Sequence, residues 1–164
     1  MKIRETVSNA DLEQIKKMFR QYFTWITDDN KINMSYQGIE TELDSLPGKF
    51  SPPEGCLLIA EVDDNPVGCV ALRSFEPGTC EMKRLFVKPE FRSKGVGMAL
   101  AKRVITEAKK RGYNKMLLDT GDFMVAAQKL YNSLGFKTTN QYYEVPEEVL
   151  KRTVFMELFL GDNL

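Results

Sequence analysis

A basic turn with two glycines, at residues 92–97, lies between a strand-like segment and a helix-like segment. The preceding residues 79–87 become apolar toward their end, as a strand entering a core does, and residues 98–111 repeat apolar side chains near the helical period. Gly112 predicts the end of that helix, because glycine adopts the left-handed conformation at no steric cost. The first backbone amides of such a helix have no hydrogen-bond acceptor within the helix. They therefore need an acceptor from outside it, such as a side chain, water or a ligand.

A turn of this kind is suited to binding phosphate. The helix dipole adds partial positive charge, Gly95 and Gly97 allow an anion to approach the backbone, and Arg92 and Lys94 add whole charges. A dinucleotide fingerprint is incomplete because Leu100 stands where its last small residue belongs, and the chain has no Walker A sequence. The pattern that remains is R-x-x-G-x-G. The alternative is a basic turn that only caps a surface helix.

The R-x-x-G-x-G pattern resembles the pyrophosphate-binding motif of the GNAT superfamily of N-acetyltransferases, which bind acetyl-CoA. Residues 127–136 follow the pattern A-x-x-L-Y-x-x-x-G-F, which resembles the signature that closes the cofactor site in that superfamily. Predicted strands at 57–62 and 66–72 complete an order of strands and helices that is similar to the superfamily core. The sequence is therefore identified as a member of this superfamily.

The resemblance implies an α/β fold of mixed α+β type. Its central sheet is expected to be mostly antiparallel, with about six to seven strands, about four flanking helices and a splay between the fourth and fifth strands. The length of 164 residues fits one domain over residues 1–164. Variable N-terminal helices (1–55) would precede a cofactor-binding core (56–160).

Several local elements follow from the residues themselves. Ser8 or Asn9 is expected to cap a helix that runs to about Trp25, and a weaker helix follows around Ile39. Asp122 is expected to cap the second core helix. Residues 141–146 are expected to end a strand and begin a loop that leads to a final strand at 153–159.

The resemblance implies acetyl-CoA as the cofactor, with CoA as the product. In the superfamily the strand before the phosphate loop splays from its neighbour and leaves backbone groups that hydrogen-bond the pantetheine arm. The expected cofactor-binding residues are Leu85, Phe86, Val87, Arg92, Ser93, Lys94, Gly95, Val96, Gly97 and Met98. One position departs from the pattern: Met124 stands where relatives frequently have asparagine.

Acetyl transfer needs an acid and a base. A departing thiolate with a pKa of ~8.5 leaves more easily beside an acid, and an amine with a pKa of ~10.4 must lose a proton before it attacks. The resemblance implies Tyr131 as the general acid, the alternative being a tyrosine packed at the cofactor mouth. Glu81, eleven residues before Arg92, is the candidate base. An ion pair of Glu81 with Lys83 and deprotonation through ordered water are the alternatives.

Polar aromatic residues are expected on the acceptor side. In the superfamily the loop between the last two strands lies beside the acceptor, which implies that Tyr142, Tyr143 and Glu144 bind the substrate. The alternative is that these tyrosines brace the loop. A second aromatic group either lines a pocket or packs in the core; it comprises Tyr22, Phe23, Trp25 and Tyr36.

Composition limits the function classes. Lys and Arg together number 23, as do Asp and Glu, so no general field recruits nucleic acid or an anionic membrane. No long apolar run or signal-like N-terminus is present, and three cysteines without a C-x-x-C pair suit a reduced cytoplasm. The absence of histidine removes Ser-His-Asp and Cys-His catalysis, and no metal site is expected.

The expected activity is transfer of an acetyl group from acetyl-CoA to a primary amine of a small molecule, peptide or protein, within a ternary complex. The expected partners are acetyl-CoA and the amine acceptor, in a cytoplasmic monomer or homodimer. The alternative is a catalytically silent sensor or partner-binding module that binds CoA or acyl-CoA. Tyr131 favours the enzyme, because a binding module has no evident need for it.

Overall fold

The structure, a computed structural model, describes residues 1–6 and 8–161. Within these residues seven strands form one sheet, in the order β1-β2-β3-β4-β5-β7-β6. The strands are β1 (Lys2–Glu5), β2 (Cys56–Val62), β3 (Asn65–Glu76), β4 (Thr79–Val87), β5 (Lys115–Gly121), β6 (Lys137–Thr138) and β7 (Thr153–Phe159). The helices are α1 (Asn9–Thr24), α2 (Ile39–Asp44), α3 (Val96–Lys110), α4 (Val125–Ser133) and α5 (Glu147–Leu150).

The pairing of the strands confirms the predicted mixed sheet. β4 and β5 are parallel, whereas the other neighbouring strands are antiparallel. A parallel pair needs a crossover connection, and α3 supplies it between β4 and β5. The N-terminus of α3 therefore lies close to the end of β4.

Helices cover both faces of the sheet, which explains why its central strands are apolar on both sides. In β2, Leu58 belongs to the core beneath α3, whereas Leu57 and Ile59 belong to the core beneath α1. The α1 side chains that enter this second core include Ile15 and Phe19, both fully buried. The apolar face of α1 thus packs against the apolar residues on one face of β2.

The starts of two helices test the capping predictions. Ser8 caps α1 as expected, since its hydroxyl accepts a 3.1 Å hydrogen bond from the Asp11 amide. The prediction that Asp122 caps the second core helix is wrong, because α4 begins at Val125 without a side-chain cap. The Asp122 carboxylate instead accepts hydrogen bonds from Arg152, whose Nε lies at 3.2 Å.

The prediction that a strand ends at residues 141–146 is also wrong. β6 has only two residues and ends at Thr138. The chain leaves the sheet after the Thr139 amide donates to the Phe155 carbonyl at 2.9 Å. The hydroxyls of Tyr142 and Tyr143 then hydrogen-bond acidic side chains of β4 and β5, so tertiary contacts replace the expected ladder.

Strand β1 was not predicted from the sequence. It is four residues long and pairs with the edge of β2. The Arg4 guanidinium anchors it, donating at 2.8 Å to Asp11 in α1 and at 2.7 Å to Glu61 in β2. A short strand held by charge rather than by apolar alternation leaves little signal in the sequence.

The three cysteines, Cys56, Cys69 and Cys80, are free and buried. Burial raises their thiol pKa values, to about 12 for Cys56 and Cys80. They therefore remain protonated and act as small core residues, as the sequence predicted for the two within strands. No helix among the described residues is both long enough and apolar enough to cross a membrane.

A cluster of charges fixes the end of α3 against β1. The Glu107 carboxylate accepts hydrogen bonds at 2.8 Å from Arg103 and Arg111 and at 3.3 Å from Lys110. Arg111 also pairs with Glu5 of β1 at 3.0 Å. Burial alone would raise the pKa of Glu107, but the three hydrogen bonds lower it to about 2.

Replacing Glu107 with glutamine should therefore destabilise the protein in a pH-dependent way. The stabilisation is fully present above the pKa of the unfolded chain, ~4.3, and is lost as the pH falls toward a folded pKa of about 2. We expect Glu107→Gln to lower the free energy of unfolding by roughly 1 kcal/mol at neutral pH, because solvent screens the exposed cations. Urea unfolding across the acid range should show the difference shrinking, and exposed Glu90→Gln is the control. A pH-independent difference would contradict this account.

Candidate active site

The parallel strands β4 and β5 pair over only part of their length. Their register has three pairs, Thr79 with Lys115, Cys80 with Met116 and Glu81 with Leu117. Beyond Glu81, β4 continues beside β3 as far as Val87, whereas its described register with β5 has ended. This opening is the splay predicted between the fourth and fifth strands, and it leaves one edge of the β4 backbone without ladder partners.

A β-bulge at Arg84 lies within the opening. Two residues of β3, Cys69 and Ala71, stand opposite Phe86 and Lys83, so β4 carries one extra residue there. Arg84 has a φ of 58°, which is unfavourable for a residue with a long side chain. The conformation directs its guanidinium to the α1 face, where the cation lies 4.7 Å from the ring centroid of Phe23.

The buried carboxylate of Glu42 in α2 compensates the charge of Arg84. Two hydrogen bonds join them, from Nε at 3.1 Å and from Nη2 at 3.0 Å, and both side chains are at most 5% exposed. Burial alone would raise the pKa of Glu42, but the charge and hydrogen bonds of Arg84 lower it. The pair therefore fixes α2 to the part of β4 that has left β5.

The opening leads into a cleft of about 740 Å³, a volume that includes space open to solvent. Residues from both sides of the opening line it, and α1, α4 and the segment before α2 close it. The lining includes Tyr22, Tyr36, Met82, Lys83, Arg84, Leu85, Asp119, Thr120, Met124, Tyr131 and Arg152. A smaller neighbouring cleft shares Tyr36 and Lys83 and is also lined by Glu81, Tyr143 and Glu144.

The predicted strand-end residues do not all face the cleft. Leu85 lines it, whereas Phe86 turns into the core beneath α1 and Val87 packs against the core beneath α3. Two of the four N-terminal aromatic residues, Tyr22 and Tyr36, line the cleft. Phe23 is buried, and Trp25 packs against Phe123 and Arg92.

The glycine turn joins the end of β4 to α3. Ser93 and Gly95 have positive φ angles of 61° and 82°, and in the described residues no side chain caps the first amides of α3. A methyl group added at Gly97 would lie 3.4 Å from Leu130 and 3.7 Å from Val87, which are tolerable contacts. Gly97 is therefore not required by the packing of the protein itself, and its lack of a side chain leaves the helix N-terminus open.

Arg92 of the same turn folds back toward β4. Its Nε donates to the Val87 carbonyl at 3.0 Å, and its guanidinium lies 5.6 Å from the ring of Trp25. Lys94 is exposed, with its ammonium group 5.4 Å from the ring of Phe91. Val96 is buried at the start of α3, and Met98 is half-buried.

Tyr131 lies in α4, the helix that closes the cleft. Its ring packs against Phe136 with centroids 5.7 Å apart, and the residue is 7% exposed. Burial raises the pKa of its hydroxyl, with smaller contributions from Tyr22 and Asp119. The hydroxyl is therefore protonated at neutral pH and available as a donor.

Glu81 is the last residue of β4 that pairs with β5, and it is 2% exposed. Its carboxylate accepts a 2.6 Å hydrogen bond from Tyr142 and lies 3.5 Å from Arg73 and 3.6 Å from Lys83. Direct access to this candidate base is therefore restricted. Burial raises the pKa of Tyr142, and Glu81 raises it further.

Tyr143 pairs with a carboxylate that sequence reasoning missed. Its hydroxyl donates to Asp119 Oδ2 at 2.7 Å, and Gln37 approaches the same hydroxyl at 3.5 Å. Asp119 lies in β5, on the opposite side of the opening from Lys83, and the two side chains come within 4.0 Å. The sequence contains only a weak indication that Asp119 and Lys83 lie together. It shows an aspartate at the end of an apolar strand and a lysine beside Arg84, and nothing that links the two.

The described residues contain no group of three His, Cys, Asp or Glu side chains arranged to hold a metal ion. The titratable groups of the cleft are instead tyrosines, carboxylates and cations. Such groups can bind charged ligands and transfer protons.

Residues 12–136 match the model of the acetyltransferase (GNAT) family. The chain belongs to the GNAT family of N-acetyltransferases. An uncharacterized N-acetyltransferase of Schizosaccharomyces pombe is 38% identical over 150 residues, which cover 90% of this chain and 88% of that protein.

Two other GNAT relatives are informative. Human N-acetylaspartate synthetase is 40% identical over 100 residues, which cover 59% of this chain but only 33% of that protein. An acetyltransferase from Salmonella typhimurium, whose structure includes its cofactor acetyl-CoA, has a TM-score of 0.69 and 25% identity, covering 100% of this chain and 96% of that one. The fold of this GNAT protein thus agrees with that of a cofactor-bound relative.

The pair between Arg84 and Glu42 leads to a test of what holds the opening in this GNAT protein. Glu42→Ala leaves a buried, uncompensated guanidinium, and we expect the free energy of unfolding to fall by about 3 kcal/mol. Glu40→Ala is a matched control, because Glu40 also pairs with an arginine, Arg20, but is 74% exposed. It should cost less than about 0.5 kcal/mol. Equal losses in urea unfolding would show that the buried pair does not have this role.

Proposed function

We propose that this protein transfers an acetyl group from acetyl-CoA to a primary amine by direct attack within a ternary complex. The observation that carries the proposal is the opening between β4 and β5, which leads to a cleft containing Tyr131. Gly97 lies beside Val87 at the end of β4 and beside Leu130, the neighbour of Tyr131. We infer that the cofactor follows this path from the glycine turn to the cleft.

The residues along this path fit acetyl-CoA. The amides of Val96, Gly97 and Met98 are suited to the pyrophosphate, with Ser93 and Gly95 shaping the turn and Arg92 and Lys94 adding charge. The edge of β4 at residues 85–87 that faces away from β3 has no ladder partner and is suited to the amide-rich pantetheine arm, although the Val87 carbonyl on it accepts a hydrogen bond from Arg92. Acetyl-CoA supplies an acetyl group activated as a thioester.

Tyr131 is the proposed general acid. Its raised pKa lies above the ~8.5 of a thiolate, so complete proton transfer to sulfur is unfavourable at the start of the reaction. The hydroxyl therefore acts chiefly by donating a hydrogen bond to the sulfur as negative charge develops there. Its position in a buried wall strengthens this interaction.

Glu81 is the proposed final acceptor of the amine proton. Because it is 2% exposed and already accepts a hydrogen bond from Tyr142, we propose that the proton reaches it through ordered water. Tyr142 is then a positioning residue that holds Glu81. Tyr143 and Glu144, which line the smaller cleft, remain on the proposed acceptor side.

The acceptor is proposed to be a primary amine of a small molecule, peptide or protein terminus. Human N-acetylaspartate synthetase is named for a product that is an N-acetylated amino acid, so that class of amine is included. Acetyl-CoA that binds without any release of free thiol across a broad amine panel would favour the alternative, a silent acyl-CoA sensor.

Gly97→Ala should separate cofactor binding from folding. The added methyl group finds tolerable contacts within the protein, and alanine favours a helix over glycine, so the melting temperature of the free protein should not fall. The same methyl group should obstruct an anion at the helix N-terminus and weaken acetyl-CoA binding by about tenfold or more. Calorimetric titration measures this, with Thr106→Ala on the exposed face of α3 as control. Unchanged affinity would contradict the proposed pyrophosphate site.

Tyr131→Phe should separate catalysis from packing. The ring remains, so acetyl-CoA affinity should hold, whereas loss of a hydrogen bond to a charged group should lower kcat by about 10- to 100-fold. Tyr113→Phe is the control: its hydroxyl donates at 2.7 Å to the Glu54 carbonyl, outside the cleft lining. That variant should lose stability and keep kcat. Normal turnover of Tyr131→Phe would leave Tyr131 as a packing residue.

A further inference from the structure

Lys83 is a buried cation whose ion pairs with the described residues are all long. The residue is 8% exposed, and its Nζ lies 3.6 Å from Glu81 and 4.0 Å from Asp119, both beyond a good hydrogen bond. The ring centroid of Tyr143 lies 5.7 Å away. Lys83 lines both the main cleft and the smaller one. A buried ammonium in this situation gains free energy from a ligand that brings an acceptor oxygen.

Asp119 can still accept a hydrogen bond from a ligand. Its Oδ2 accepts the hydrogen bond of Tyr143, whereas Oδ1, the oxygen that faces Lys83, accepts none from the described residues. The side chain is 18% exposed and lines the main cleft. The cleft therefore presents a donor cation and an acceptor anion 4.0 Å apart.

The other charged groups that line the main cleft already have partners. Arg84 makes two hydrogen bonds with Glu42. Arg152 pairs with Asp122 and donates to the Asn30 carbonyl at 3.0 Å. Among the charged residues described in this lining, capacity for a charged ligand is thus concentrated at Lys83 and Asp119.

We propose that the acetyl acceptor is a free amino acid, bound as a zwitterion with its carboxylate on Lys83 and its amino group on Asp119. This inference rests on the proposed acetyl transfer, which requires the amine to lie in this cleft. A zwitterion carries opposite charges a few bonds apart and complements a fixed pair of opposite charges. Burial lowers the pKa of Lys83, and a bound carboxylate would offset that penalty.

The test compares L-amino acids with their α-carboxamides, which keep the amine and lose the carboxylate. We expect the wild-type protein to acetylate at least one free amino acid roughly 10- to 100-fold more efficiently, in kcat/KM, than its carboxamide. The amine of the carboxamide is less basic than that of the free amino acid, so a larger fraction of it is neutral and nucleophilic at neutral pH. Without a binding site for the carboxylate, the carboxamide should therefore be the better acceptor.

Two variants assign the contacts. Lys83→Met keeps the length of the side chain in an apolar form suited to burial, and it should abolish the preference by raising KM for the free acid far more than KM for the carboxamide. Asp119→Asn still accepts from Tyr143, and it should raise KM for acid and carboxamide alike. Exposed Lys102→Met is the control, and KM for acetyl-CoA should be unchanged throughout.

The outcomes separate this inference from the proposed function. Acetylation of amines without preference for the carboxylate, or a preference retained in Lys83→Met, overturns the inference and leaves acetyl transfer intact. If no amine is acetylated, calorimetric titration of the amino acids into the CoA complex decides. Binding that Lys83→Met abolishes sustains the zwitterion site while acetyl transfer fails, and no binding overturns the site.

Discussion

The backbone of β4 leaves β5 after Glu81, and the bulge at Arg84 controls the path it takes. The extra residue increases the local twist and sends the Arg84 side chain toward α2, where Glu42 neutralises it. This ion pair thus joins the bulge of β4 to α2. The same departure exposes the backbone edge that lines the cleft. Unpaired backbone groups raise the free energy of the folded protein unless a ligand or water satisfies them, so the opening is itself evidence for a ligand site.

The two faces of the sheet give the opening two chemically different sides. Adjacent residues of a strand point to opposite faces, so Met82 joins the core beneath α3 while Lys83 faces the aromatic and acidic groups beneath α1. Tyr131 reaches the cleft from α4, which packs on the α3 side. The proposed acid therefore comes from one face and the proposed acceptor groups from the other. The acetyl group and the acceptor amine would meet at the opening, because the opening connects the two faces of the sheet.

Sequence patterns predicted the parts of this arrangement that are local in the chain. The turn at residues 92–97 and the motif around Tyr131 each lie within one short segment, so their resemblance to GNAT motifs is visible in the sequence. The ion pair of Glu81 with Lys83 was one of the alternatives that the sequence offered. The hydrogen bond from Tyr142 could not be predicted this way, because Tyr142 is 61 positions away and joins Glu81 through a loop without regular structure. The bulge in β4 could not be predicted from the sequence either. Two consecutive basic residues, Lys83 and Arg84, do not show which of them is the extra residue of the strand. Asp122 illustrates a wrong local inference, because a distant arginine took the place of the helix amides.

The loop after β6 is ordered by two tyrosines that reach adjacent strands. Tyr142 donates to Glu81 on β4 and Tyr143 donates to Asp119 on β5, so the loop bridges the strands at the point where they diverge. Burial and the neighbouring carboxylates raise the pKa of both hydroxyls, which keeps them protonated and donating. Each carboxylate then has one oxygen fixed and one oxygen facing cations. The geometry of the proposed acceptor site is thus set before any ligand binds, and an acceptor that matches it loses little free energy to reorganisation.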